Sequence, residues 1–148
     1  MKIVYSYYVM DICHRGHLLQ MKNAKATAGK NGLSVVGILT KEAVLEKKEK
    51  KPILSFDERM NLAQVIEYND LVIPQDTYSP LKNIKNLKPD VAMESESHSK
   101  KDIKVIEDYM SSIGGRVLIM PYYPYQSSTS IKKKISGDSD SVPRGRKT

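Results

Sequence analysis

The chain has 148 residues, 40% apolar and 28% charged, with a net charge of +7. A chain of this length buries a core without metal or disulfide staples. Its one cysteine, Cys13, excludes an internal disulfide framework and a four-cysteine zinc site, and no apolar run approaches the ~20 residues that span a bilayer; with no signal-peptide layout at the N-terminus, a cytoplasmic, reducing compartment is expected.

Strand and helix signals alternate along the chain. Residues 2–9 are rich in β-formers and predict a strand. Residues 16–29 predict a helix from the spacing of Leu18, Met21 and Lys25, with Gly29 near its end. Leu33 to Leu39 is a buried-type strand, and Lys41 to Leu54 a charged, lysine-rich stretch closed by Pro52. Ser55 opens a helix to about Tyr68, with Glu58 at capping-box spacing. Leu71 to Ile73 is a short strand stopped by Pro74, and Ser79-Pro80 is an N-cap followed by proline at the first helical position. Val91 to Met93 is another short apolar run. Residues 102–113 form an amphipathic helix ended by Gly114-Gly115. Val117 to Met120 is the last strand, and residues 127–135 a short helix led by Ser127 and Ser128. After Ile135 the composition cannot pack, so 136–148 read as a disordered tail. Its VPRG stretch looks like part of a protease-cleavage linker; a natural linker is the other reading. Residues 132–148 hold six basic against two acidic side chains, net +4 of the +7, so the basic balance is no strong sign of nucleic acid.

This alternation predicts an α/β fold with a parallel sheet and helices on both faces. Ligands on such sheets bind at the carboxyl ends of the strands, which directs attention to four stretches. The first is Asp11-Ile12-Cys13-His14-Arg15-Gly16-His17, at a strand-to-helix junction. A helix N-terminus offers free N–H groups to phosphate, Gly16 admits a close ligand, and His14 and His17 share a helical turn. Structural histidines are the plain alternative, and Cys13, His14 and His17 as zinc ligands another. The second is the basic run Lys47-Lys48-Glu49-Lys50-Lys51, which by composition reads as a solvated loop. The third is Gln126 to Lys132, whose hydroxyls cap a helix or hold a ligand. The fourth is Met93 to His98, where Glu94 and Glu96 are either solvated or suited to a cationic group.

The first stretch resembles the HxGH signature of the nucleotidyltransferase superfamily, in its cytidylyltransferase branch. Asp11 and His14-Arg15-Gly16-His17 match the second half of G-T-F-D-x-x-H-x-G-H, while Tyr8, Val9 and Met10 stand where Gly, Thr and Phe are usual. Ser55 to Arg59 resembles that family's S-x-E-x-R segment. Ser127, Ser128, Thr129 and Ile131 match the second half of R-T-x-G-I-S-T-T-x-I; Tyr122-Tyr123-Pro124-Tyr125 replace the first half, so its arginine is absent. The Met93 to His98 variant and the histidine stretch are similar to phosphonate-activating cytidylyltransferases.

The resemblance implies a Rossmann-like five-stranded parallel sheet over residues 1–135. It implies CMP transfer from CTP to a small phosphonate, 2-aminoethylphosphonate foremost, by direct in-line attack with release of pyrophosphate. The alternative acceptor is a phosphate monoester: glycerol-3-phosphate, phosphocholine or phosphoethanolamine. His14, His17 and Lys48 are the implied catalytic residues. Tyr8, Val9, Asp11, Gly16, Lys50, Arg59, Ser127, Ser128 and Thr129 are expected on the nucleotide, and Glu94, Glu96 and Tyr122 on the acceptor. Mg²⁺ is the expected cofactor, with unnamed protein ligands. No nucleic-acid or membrane partner is expected, and a homodimer is. A transferase using ATP, and a non-catalytic nucleotide- or nucleic-acid-binding module, are the other readings.

Overall fold

The computed structural model describes residues 1–121 and 127–137. Five strands alternate with helices: β1 (Ile3–Tyr8), α1 (Arg15–Ala28), β2 (Leu33–Leu39), α2 (Lys41–Leu45), α3 (Phe56–Val65), β3 (Leu71–Gln75), α4 (Leu81–Leu87), β4 (Val91–Ser95), α5 (Lys100–Ser112), β5 (Arg116–Met120) and α6 (Ser128–Ser136). All strand pairs are parallel, in the order β3-β2-β1-β4-β5. The expected Rossmann-like five-stranded sheet is present.

Strand side chains alternate between two cores, as a two-unit repeat requires. Tyr5, Val35 and Ala92 pack with Ile84 of α4 and with Ile106 and Met110 of α5 on one face. Val36 and Ile38 pack with Met21 of α1 and Ala63 of α3 on the other, where Val4, Val91 and Met93 meet Ala24 and Ala28. Helices therefore cover both faces, and the central strands are buried along most of their length.

Several boundaries differ from the sequence reading for local reasons. Pro74 does not stop the third strand: β3 continues to Gln75, because it is an edge strand, where a missing N–H is tolerated. The helix after Ser79 starts at Leu81, one residue late; Pro80 takes the cap position, and Ser79 Oγ accepts from the Leu81 N–H (3.2 Å). The lysine-rich stretch contains a short helix, α2, capped by Thr40 Oγ1 accepting from the Ala43 N–H. The helix from Ser55 ends at Val65 rather than Tyr68, with its capping box formed as expected. Ser136, expected in the tail, closes α6 before Gly137; the rest of the tail lies outside the described residues. Among the described residues no helix is long and apolar enough to cross a membrane.

Candidate active site

The chain reverses its direction of sheet growth between β1 and β4, and a crevice opens at such a switch point beyond the carboxyl ends of the strands. A cleft of about 1030 Å³ lies there, lined from β1 and its following loop, α1, the lysine loop, β4 and α6. That volume accommodates a nucleotide together with a small second substrate.

The post-β1 loop is shaped by Met10, fully buried and in the left-handed backbone region (φ 65°). A non-glycine residue there is uncommon and clusters at functional sites. The bend delivers Asp11 into the interior, 3% exposed. Its two oxygens accept from the Ile53 N–H (2.9 Å) and the Leu54 N–H (2.8 Å), and Lys132 of α6 pairs with the same carboxylate. Burial by itself raises the Asp11 pKa, but the Leu54 N–H, Lys132 and the Ile53 N–H outweigh it and hold it below the usual value. Asp11 thus ties the histidine loop, the lysine loop and α6 into one frame.

Two histidines open α1. His14 Nδ1 accepts from the Gly16 N–H (3.0 Å), and His17 Nδ1 accepts from the His14 N–H (3.1 Å). Their ring centroids are 4.1 Å apart, and Tyr8 meets His17 edge-on at 6.0 Å. An Nδ1 that accepts carries no proton, so in the neutral ring the proton sits on Nε2. Burial lowers the pKa of both, and the neighbouring His14 charge lowers His17 further, to about 3. Both are neutral Nε2–H donors at pH 7. This corrects one expectation: the Gly16 and His14 N–H groups are occupied by imidazole nitrogens rather than free for phosphate, so the rings take over the donor role.

Of the remaining expected residues, Tyr8, Val9, Gly16, Lys48, Lys50, Glu94, Ser127, Ser128 and Thr129 all line the cleft with Asp11, His14 and His17. Ser127 also caps α6, accepting from the Ser130 N–H (3.0 Å), and Ser128 Oγ donates to the Ile12 carbonyl (2.9 Å). Capping and cleft lining coexist there. Two expected residues, Arg59 and Glu96, lie outside that lining, and a third falls outside the described residues. Arg59 is fully buried and away from the cleft lining. Its Nη1 donates to the Val9 (2.8 Å) and Leu39 (2.6 Å) carbonyls, and its Nε to that of Leu54. It clamps the ends of β1 and β2 from behind the lining: its partner Val9 faces the cleft, while Arg59 itself does not. Glu96 is exposed and outside the lining, since the chain turns after Ser95. Tyr122 lies outside the described residues.

The sequence reading also missed residues. Lys132 and Lys133 line the cleft from α6, discounted because they were counted as tail charge. Tyr7 and His98 line it near Glu94; the three-residue gap between Glu94 and His98 was the available signal. Among the described residues no three His, Cys, Asp or Glu side chains converge to hold a metal. Cys13 packs beside the apolar cluster around Met21, where burial raises its thiol pKa, and it does not converge with His14 and His17 as a metal-holding group. Both Asp11 oxygens are already engaged, by backbone N–H groups and by Lys132.

A family profile described as cytidylyltransferase-like matches residues 9–134. The bifunctional protein HldE of Geobacter metallireducens is 30% identical over 135 residues, covering 90% of this chain and 27% of that protein. The bifunctional protein HldE of Marinomonas sp. is 32% identical over 136 residues, covering 91% of this chain and 28% of that protein. The chain therefore spans about a quarter of the length of these relatives. A crystal structure of the lipopolysaccharide core biosynthesis protein from Thermoplasma volcanium superposes with a TM-score of 0.66 at 24% identity, covering 85% of this chain and 99% of that one. That likeness shows the fold.

Proposed function

The chain belongs to the cytidylyltransferase-like family and is a nucleotidyltransferase, and from that premise we propose that it transfers CMP from CTP to a small phosphonate, 2-aminoethylphosphonate foremost. The observation that carries this reading is the pair of neutral Nε2–H imidazoles at the switch-point cleft, facing a loop that brings Lys48 and Lys50 to the same cavity. Neutral donors and exposed cations divide the work that a triphosphate demands.

The acceptor oxygen attacks the α-phosphorus. The new phosphorus–oxygen bond forms as the bond to the bridging oxygen breaks, and the electron pair leaves with pyrophosphate. The acceptor is already an anionic nucleophile, so no covalent enzyme intermediate is needed. His14 and His17 hydrogen-bond the α-phosphate and the charge that builds on the bridging oxygen. Lys48 and Lys50 neutralise the departing pyrophosphate. Ser127 to Thr129 at the start of α6 support the nucleotide, and Asp11 holds the loops that carry these groups. Glu94 sits at the acceptor end. Mg²⁺ would enter with the triphosphate, held through the phosphate oxygens; among the described residues no cluster of three His, Cys, Asp or Glu side chains stands ready for it. Domain limits of 1–135 and a homodimer belong to the same reading; exposed Leu62 and Val65 of α3 and Leu71 of the edge strand β3 supply apolar surface for the dimer.

The test is pyrophosphate release with CTP and Mg²⁺, using 2-aminoethylphosphonate, glycerol-3-phosphate, phosphocholine and phosphoethanolamine in parallel, then ATP in place of CTP. Release with CTP and the aminophosphonate alone supports the proposal. Release only with a phosphate ester replaces the acceptor class, and release only with ATP replaces the nucleotide.

A further inference from the structure

A second cluster of ionisable side chains lies at the β4 end of the cleft, and the chemistry of phosphate binding makes no use of it. Tyr7 Oη donates to Glu94 Oε1 (2.7 Å) and lies 2.9 Å from His98 Nδ1; that nitrogen is itself 2.8 Å from the same Oε1. Parallel pairing of β1 with β4 puts Tyr7 and Glu94 on the same sheet face, and the turn after Ser95 returns His98 above them, with Tyr7 and Tyr78 rings 5.6 and 6.3 Å from its own.

Tyr7 has one hydroxyl proton. Given to His98, it leaves Oε1 to depend on a ring nitrogen without a proton. The arrangement that satisfies every atom has both Tyr7 and the His98 Nδ1–H donating to Oε1. Two donors therefore converge on one carboxylate oxygen. The other, Oε2, is buried and has no hydrogen-bond partner among the described residues. Glu94 is only 3% exposed, yet it lines the cleft. None of the lysine or arginine ion pairs among the described residues includes it. A buried carboxylate with one oxygen unmet, paired through the other with the His98 ring and with no lysine or arginine, is costly unless a ligand completes it. A hydroxyl supplies a hydrogen bond but no charge. An ammonium supplies both.

We propose that Tyr7, Glu94 and His98 form an ammonium-binding subsite, in which Tyr7 and His98 hold the Glu94 carboxylate so that Oε2 receives a primary ammonium group of the acceptor. The assignment of that ligand as an acceptor rests on the nucleotidyl-transfer reading; the selectivity for charge does not. Tyr7 and His98 are positioning residues here, and Glu94 is the contact.

The experiment compares two isosteric pairs by calorimetric titration of the full chain, with Mg²⁺ and α,β-methylene CTP and without them. The pairs are 2-aminoethylphosphonate against propylphosphonate, and phosphoethanolamine against propyl phosphate. Each exchanges an ammonium for a methyl group at the same chain length. The ammonium member should bind at least about tenfold tighter in one pair. Glu94→Gln should bring that ratio close to one, and Tyr7→Phe should lower it part of the way, each variant being checked for folding by thermal melting. Equal affinities within both pairs overturn the subsite, as does an unchanged ratio in folded Glu94→Gln. If Glu94→Gln does not fold, the wild-type pairs decide alone. A tenfold preference without pyrophosphate release leaves the subsite standing and removes the transfer reading. Release with equal affinities does the reverse.

Discussion

His17 gives its Nδ1 to a backbone N–H and keeps its proton on Nε2, so its contribution is a single, oriented donor. His17→Ala removes that donor where charge builds in the transition state. The expected outcome is a fall in kcat of about 100-fold or more with a smaller change in the nucleotide KM, read by steady-state kinetics. An unchanged kcat removes His17 from the chemistry. Arg59 poses the opposite question, because it reaches three carbonyls and does not itself line the cleft. Arg59→Met leaves those carbonyls unmet and should cost about 3 kcal/mol in urea unfolding. At a temperature where the variant is folded, its CTP affinity should stay within a few-fold; a large affinity loss restores Arg59 to the nucleotide.

The lysine loop and α6 both line the cleft, and one buried carboxylate couples them. Asp11→Asn keeps the shape but turns an amide N–H toward a backbone donor or Lys132. It should destabilise the protein by about 2–3 kcal/mol and raise the nucleotide KM, because Lys48 and Lys50 lose their anchor at Ile53 and Leu54. Protease nicking within 47–54 should quicken in parallel; unchanged nicking would detach Asp11 from loop order. The element pattern was legible in the sequence wherever a local signal fixed it. The Ser55–Glu58 box and the Leu33 to Leu39 run are examples, each formed as read. What could not be read depended on distant partners. Nothing near Arg59 in the chain says that the Val9 and Leu39 carbonyls await it. Pro74 reads as a stop unless its strand is known to lie at an edge. The cleft histidines were legible as a motif, but their capping of their own helix was not, since histidine is rarely chosen for that position. Lys132 and Lys133 were hidden by the basic tail that follows them.

At the scale of the molecule, acidity acts through the same histidine that serves the site. In the unfolded chain His17 takes a proton as pH falls through about 6.5; in the fold it resists until about 3. Its folded pKa is depressed, so stability is intact above about 6.5 and is lost as pH falls below it, by up to about 1.4 kcal/mol per unit. Urea melts at pH 7 and pH 5 should show that loss in the wild type and less of it in His17→Gln. That window lies above the range in which Asp11 titrates, which keeps the two effects apart. Equal losses would mean that the ring is not shielded.

The sheet order has a further consequence. Growth from β1 runs one way through β2 and β3 and the other way through β4 and β5. The histidine turn and the lysine loop are encoded before residue 76, and the Tyr7 partners Glu94 and His98 after residue 90. The histidine turn with the lysine loop, and the Glu94–His98 turn, are thus written in separate stretches of the gene, with Tyr7 the link between them. Exchange of the segment from β4 to the start of α5 between relatives could retarget the acceptor end while the histidine turn and lysine loop are inherited untouched, a cut-and-join route to new substrates from one scaffold.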